Sequence, residues 1–368
     1  MSDPRLARLA RLIVEYSTRI QRGDRVALEA EPVAAPFVLA LYHSVLQAGG
    51  HPQVLITLPG QEDLLLRFGS DEQIDLPPLL RRYAYENFES RVYIHSLSNT
   101  KELANTDPAR FARWRKAVGK VLQTQLDRGA RGEFRWLTTL YPTAGYAQDA
   151  EMGLEEFEDF VFRACHVDEA TPDPIAYWQG ANAEQQRAIE VLEGHDIVEV
   201  RGPSCDLSLS LKGRTFLNAC GEHNMPDGEI FTGPVETSVN GWVRFTYPAV
   251  YEGREATGVE LRFVDGRVSQ ARAERGEAFL QEMLRVDDGA RYLGEFAVGM
   301  NYGIQHFCRN TLFDEKIGGT FHVALGRGYP ETGNHNQSGI HWDMICSLRE
   351  GEIVADGEVV YRHGGFVT

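Results

Sequence analysis

His341 and Asp343 sit two residues apart in the run Ser338–Cys346, which is short, apolar and rich in strand formers. On a strand, alternate side chains share a face, so this imidazole and this carboxylate point the same way. Placing both on the buried face of a sheet is costly unless a ligand compensates them, and a metal ion is the simplest such ligand. Four other places in the second half carry comparable chemistry. Glu229 follows a loop rich in Pro, Asp and Gly and opens an apolar stretch. Glu295 is the one carboxylate in Leu293–Val298, and Glu315 closes Asn310–Glu315. His322 is the one imidazole in Gly319–Gly326, and Tyr329 lies beyond a glycine-rich turn. Each has an ordinary explanation alone: a cap, an ion pair, a hydrogen-bonded core histidine, a packed tyrosine.

Together they read differently. Several apolar strands each carry a single ionisable group, and such groups are expensive unless they share a ligand. Three glutamates, one aspartate and two histidines exceed what a tetrahedral zinc needs. They suit two divalent ions bridged by a carboxylate, which polarise a carbonyl and generate a hydroxide nucleophile near neutral pH. No HExxH, GxSxG or Walker A pattern occurs.

The elements that must position these residues fall into two halves. Up to about residue 192, helical and strand patterns alternate: helix 4–22, strand 25–29, helix 34–48, strand 52–57, helix 73–88, strand 91–95, helix 107–127, strand 134–140, then helices 154–165 and 172–192. Alternation of this kind predicts βαβ units and a mainly parallel sheet. From about 195 short strands dominate, separated by glycine turns such as Asp265-Gly266 and Asp356-Gly357, which are hairpin signals. The pattern predicts an α/β N-terminal domain over 1–190 and an α+β C-terminal domain over 191–368 with a mixed or antiparallel sheet.

Of the 368 residues, 43% are hydrophobic and 24% charged, as in soluble globular proteins. The net charge of −16 argues against nucleic acid or an anionic membrane as partner. No apolar run reaches the length of a membrane span. Five scattered cysteines without a CxxC pair predict buried thiols in a reducing cytoplasm. The N-terminal arginines occupy one side of an amphipathic first helix rather than marking a transit peptide.

At this point the residues carry a resemblance. The chain resembles the aminopeptidase T / aminopeptidase S family of cocatalytic metalloaminopeptidases. The matching blocks are Asn224–Thr232, Leu293–Glu295, Thr311–Glu315, His322–Gly326 with Tyr329, and His341–Asp343, in the same order. The resemblance implies that Glu229, Glu295, Glu315, His322, His341 and Asp343 bind two divalent metal ions, zinc, cobalt, manganese or magnesium. It implies that Tyr329 steadies the tetrahedral intermediate. It implies a C-terminal catalytic domain, a homodimer, and removal of N-terminal residues from peptides by a metal-activated water that attacks the first peptide carbonyl. Three departures stand out. The Tyr329–His341 segment is shorter than the pattern, the Glu315–His322 spacing is slightly longer, and Gly228 stands where an acidic residue is common. The shortened segment Pro330–Gln337, with His335 and two asparagines, is a candidate for shaping the substrate entrance.

Two other readings use the same residues. His322, His341 and Asp343 alone would form a two-histidine, one-carboxylate triad for a single Fe(II), as in a ring-cleaving dioxygenase acting on hydroxypyridines. Such a site has no use for Glu229 and Glu295. A purely structural ion is the third reading, and a tyrosine beside an open multi-carboxylate site argues against it.

Overall fold

A computed structural model describes residues 3–367. Its contacts divide the chain into two compact units. One runs up to Tyr177 and includes Gly221–Pro226. The other comprises Trp178–Cys220 and the chain from Asp227 onward.

The first unit is built on a parallel sheet of β1 (Arg25–Ala30), β2 (His51–Ile56), β3 (Ser90–His95) and β4 (Arg135–Leu140), in the order β2-β1-β3-β4, extended by the short strand Asn224–Met225. Helices connect the strands, as parallel pairing requires. Two of the expected helices are shorter than their periodicity suggests. The first is α-helical over Pro4–Leu12 and continues as a π turn over Ile13–Ser17. It cannot reach residue 22 because Arg19 adopts a φ of 48°. The stretch 73–88 is two helices, Asp71–Asp75 and Leu79–Asn87, because Pro77 holds Leu76 extended. A capping box at Ser70 and Gln73 starts the first of them.

The second unit packs two antiparallel sheets against one core. One sheet has eight strands, running in space from Arg267–Arg272 to Gly365–Phe366. Its Asp265-Gly266 and Asp356-Gly357 hairpins turn as predicted, each with positive φ at both residues. The other sheet holds β5 (Leu217–Ala219), β6 (Glu229–Thr232), β7 (Leu293–Gly299), β8 (Thr320–Gly326) and β9 (His341–Ser347), in the order β9-β8-β7-β6-β5.

Side-chain parity in this sheet decides everything that follows. Phe296 and Val298 of β7, Phe321, Val323 and Leu325 of β8, and Trp342, Met344 and Cys346 of β9 all join the core between the sheets. The intervening positions, Glu295, His322, His341 and Asp343, lie on the opposite face. His341 and Asp343 do share a face, as strand parity requires, but it is the face away from this core: Trp342 takes the core, and its two neighbours are only partly buried. The core anchors the strand through the tryptophan, leaving the ionisable pair free to meet other groups.

Candidate metal centre

Antiparallel register brings the site face together. Ala297 lies opposite His322, Ala324 opposite Asp343, and Glu295 pairs with Ala324 as well. Glu295, His322 and Asp343 thus each face an alanine and His341 faces Gly326, small partners that leave room above the sheet for the groups to converge. Glu229 starts β6 opposite Gly299. Its backbone is fixed by the buried Gln185, whose amide donates to the Glu229 carbonyl at 2.8 Å and to that of Ala219 at 2.9 Å. Glu315 caps the short helix Thr311–Asp314, which Asn310 opens by accepting from Leu312 N at 3.1 Å.

All six residues meet. Ligand-capable atoms of Glu229, Glu295 and His322 lie within 4.8 Å of one another, as do those of Glu295, His341 and Asp343, and those of Glu315, His322 and Asp343. Glu295, His322 and Asp343 each belong to two of these groups. None of the three groups contains both imidazoles. His322 Nε2 is 3.1 Å from Glu295 Oε1 and 3.5 Å from Glu229 Oε2. His341 Nε2 is 3.5 Å from Glu295 Oε2 and 3.4 Å from Asp343 Oδ1.

The donor set fits divalent cations. Glu229 Oε2 and Asp343 Oδ1 are buried and accept no hydrogen bond. His341 Nδ1 stands 2.7 Å from the Arg327 carbonyl, which fixes a proton on Nδ1 and turns Nε2 toward the carboxylates, where loss of its proton would free it to bind a cation. Four carboxylates and two imidazoles are hard and intermediate donors suited to zinc, manganese, cobalt or magnesium.

Electrostatics tell the same story. Burial lowers the basicity of both imidazoles, but their carboxylate neighbours outweigh it. Glu295 and Glu229 raise His322 to about 9, and Asp343 and Glu295 raise His341 to about 10. Burial would raise Asp343, yet His341, His322 and Lys316 hold it at about 2. Burial pushes Glu229 up to about 7 and Glu315 to about 8, even with Lys316 beside both.

A pH dependence follows for the metal-free protein. The two glutamates and two histidines all bind protons more tightly folded than unfolded. Their contribution is complete below the ordinary carboxylate and imidazole values and is lost as pH rises through about 7 to 10. The melting temperature of stripped protein is expected to fall steadily from pH 5.5 to pH 9, whereas saturating divalent metal, which replaces those protons, flattens the slope. A stripped protein whose melting temperature is level or rises over that range would contradict the geometry.

Lys316 and the role of Gly294 escaped sequence reasoning. Lys316 is completely buried, with Nζ 3.3 Å from Glu229 Oε1 and in contact with Glu315 Oε1. Gly294 sits at a register shift between β7 and β8. A Cβ there would lie 2.2 Å from the Arg327 carbonyl oxygen, the acceptor that orients His341. Gly294→Ala is expected to weaken metal binding about 10-fold without touching a ligand, by displacing that carbonyl. Equilibrium dialysis against zinc measures it, and unchanged affinity would sink the idea.

Tyr329 is 43% exposed and packs edge-on to His341, with ring centroids 5.4 Å apart, and against Phe231 at 5.3 Å. Crowding by protein atoms, then the charges of Glu295, Asp343, Glu315 and Glu229, hold its phenol well above the usual range. The loop that follows is tied down by its own side chains. Asn334 is buried and donates to the carbonyls of Pro234 at 3.1 Å and Leu293 at 3.3 Å. Thr332 Oγ1 donates to the Tyr329 carbonyl at 2.6 Å. Both asparagines of the segment, Asn334 and Asn336, spend their amides on backbone, and only His335 is exposed among these three.

Carboxylates and imidazoles that converge on one face of a sheet define a candidate divalent-metal centre. The thermophilic metalloprotease (M29) family profile matches residues 2–366, and the chain belongs to that family. It is an enzyme, a hydrolase of the metalloprotease class. Aminopeptidase 2 of Geobacillus stearothermophilus is 28% identical over 89% of this chain and 84% of its own. The structure of wild-type AmpT from Thermus thermophilus superposes with a TM-score of 0.87 at 24% identity, covering 99% of each chain. A 2,5-dihydroxypyridine dioxygenase from Pseudomonas putida KT2440 shares the fold with a TM-score of 0.63 at 15% identity, over 100% of this chain and 98% of its own. These two likenesses are of fold. The family resemblance read from the five sequence blocks holds on the profile match over residues 2–366.

Proposed function

We propose that the protein is an aminopeptidase whose Glu229, Glu295, Glu315, His322, His341 and Asp343 hold two divalent ions. The observation that carries this reading is the sharing of Glu295, His322 and Asp343 between overlapping groups, a layout that suits paired sites better than one. The ions would polarise the first peptide carbonyl and activate water near neutral pH. The protein's own residues do the rest. The carboxylates keep both imidazoles in place and present an acidic wall to a cationic α-amino group. His341 is held by the Arg327 carbonyl so that Nε2 faces inward. Tyr329 supplies a neutral O–H donor where negative charge develops. The relatives' names support N-terminal residues of peptides as substrate.

The division at residue 190 into an N-terminal α/β domain and a C-terminal catalytic domain belongs to the same proposal, since every site residue lies beyond 191, although by contacts the second unit already begins at Trp178 and Gly221–Pro226 belongs with the first. So does a homodimer, and so does a cytoplasmic setting, which the five buried cysteines favour. No described helix is long and apolar enough to cross a membrane. The mononuclear iron reading is less well supported, because the converging groups keep His322 and His341 apart.

Metal-stripped protein given zinc, cobalt, manganese or magnesium in turn, then an aminoacyl-p-nitroanilide and its N-acetylated counterpart, tests the proposal. Hydrolysis of the free-amine substrate only, with two ions bound per chain, is expected. One iron per chain with oxygen uptake would overturn it.

A further inference from the structure

We infer that Lys316 is a positioning residue of this centre: its ammonium takes one oxygen of Glu229 and one of Glu315, and so presents the remaining oxygens to the ions. The inference rests on the proposed ligand set. Lysine is almost never fully buried, and an ammonium with no exposure needs close anionic partners. Here it has two, Glu229 Oε1 at 3.3 Å and Glu315 Oε1 in direct contact. The second oxygen of Glu229 points elsewhere, 3.5 Å from His322 Nε2, and accepts no hydrogen bond.

The backbone, rather than the carboxylates, puts the ammonium there. The Lys316 amide donates to the Phe313 carbonyl at 3.0 Å, and the Lys316 carbonyl accepts from Asn301 N at 3.0 Å. Gly299 of β7 admits this segment, since a Cβ there would lie 2.3 Å from the Ile317 carbonyl oxygen. Gly299 is also the register partner of Glu229. One tight approach therefore fixes the lysine and the strand bearing its partner. The two glutamates serve different groups, Glu229 with Glu295 and His322, Glu315 with His322 and Asp343. A single ammonium thereby links both halves of the centre. By holding one oxygen of each glutamate, it restricts each to binding an ion through the other.

Lys316→Met, dialysed against buffered zinc beside the wild type, is the test. Metal per chain by elemental analysis is expected to fall to half or less, and kcat about 100-fold, with KM changed less than about threefold, since the substrate contacts persist. Unchanged or tighter zinc binding would show that the ammonium only competes with the ions, and would overturn the inference. A crystal structure of zinc-loaded wild type needs no variant to fold. It is expected to show Nζ bonded to one oxygen of each glutamate and zinc on the others. Lys316 turned away, or both oxygens of each glutamate on zinc, would overturn it equally. Wild type that takes up no zinc at these six residues would instead remove the ligand assignment beneath it, a distinguishable failure.

Discussion

Glu295→Gln is expected to lower kcat/KM by at least about 10³-fold and to reduce metal content to one ion per chain or fewer. The substitution preserves volume and the β7 backbone, so the loss isolates the carboxylate. Glu295 earns this rank by position. It is 5% exposed, its Oε1 lies 3.1 Å from His322 and its Oε2 3.5 Å from His341, and it stands in two of the three converging groups. Every other shared residue touches only one of the two histidines through a carboxylate, or is itself a histidine. An amide there would present a weaker, neutral donor to both sites and would turn an N–H toward one imidazole. Removing one partner from a buried charged network leaves the rest uncompensated, which costs a few kcal/mol in stability. Metal analysis and kinetics on an aminoacyl-p-nitroanilide decide it. A variant that keeps two ions and loses less than tenfold in kcat/KM would rule out a bridging role.

Much of this centre was legible because strands impose parity. One ionisable residue among apolar neighbours, repeated over β7, β8 and β9, announces a face of the sheet with something to hold. The five blocks named the six residues that the fold brings together. Which face was harder to read. His341-Trp342-Asp343 offers a tryptophan flanked by two polar groups, and only the partner sheet shows that the tryptophan takes the core. Lys316 was invisible for a different reason. A lysine following a glutamate reads as a solvated pair, and nothing local reports that Gly299, 17 positions earlier, lets its backbone into the site. The broken helix at Pro77 and the early stop at Arg19 were local and could have been caught by giving proline and chain reversal more weight than periodicity. Long-range pairing and burial of charge are properties of contacts between distant segments, which periodicity does not encode.

Tyr329→Phe separates chemistry from metal binding, and a fall in kcat of about 10² to 10³-fold at full metal content is expected. The ring is held on both sides, by His341 at 5.4 Å and Phe231 at 5.3 Å, and its carbonyl accepts from Thr332. Phenylalanine keeps those ring contacts, so the geometry of the loop should survive and only the hydroxyl is lost. Desolvation by the surrounding protein, and then the four carboxylates nearby, keep the phenol protonated, which is what a donor to a developing oxyanion requires. An interaction realised only as charge develops lowers kcat and kcat/KM together and leaves KM nearly constant. A rise in KM with kcat preserved would instead make the hydroxyl a substrate-binding contact. Loss of metal alongside activity would make Tyr329 a support for His341. Its partial exposure favours the first outcome, because the group is reached from solvent on one side and borders the acidic cluster on the other.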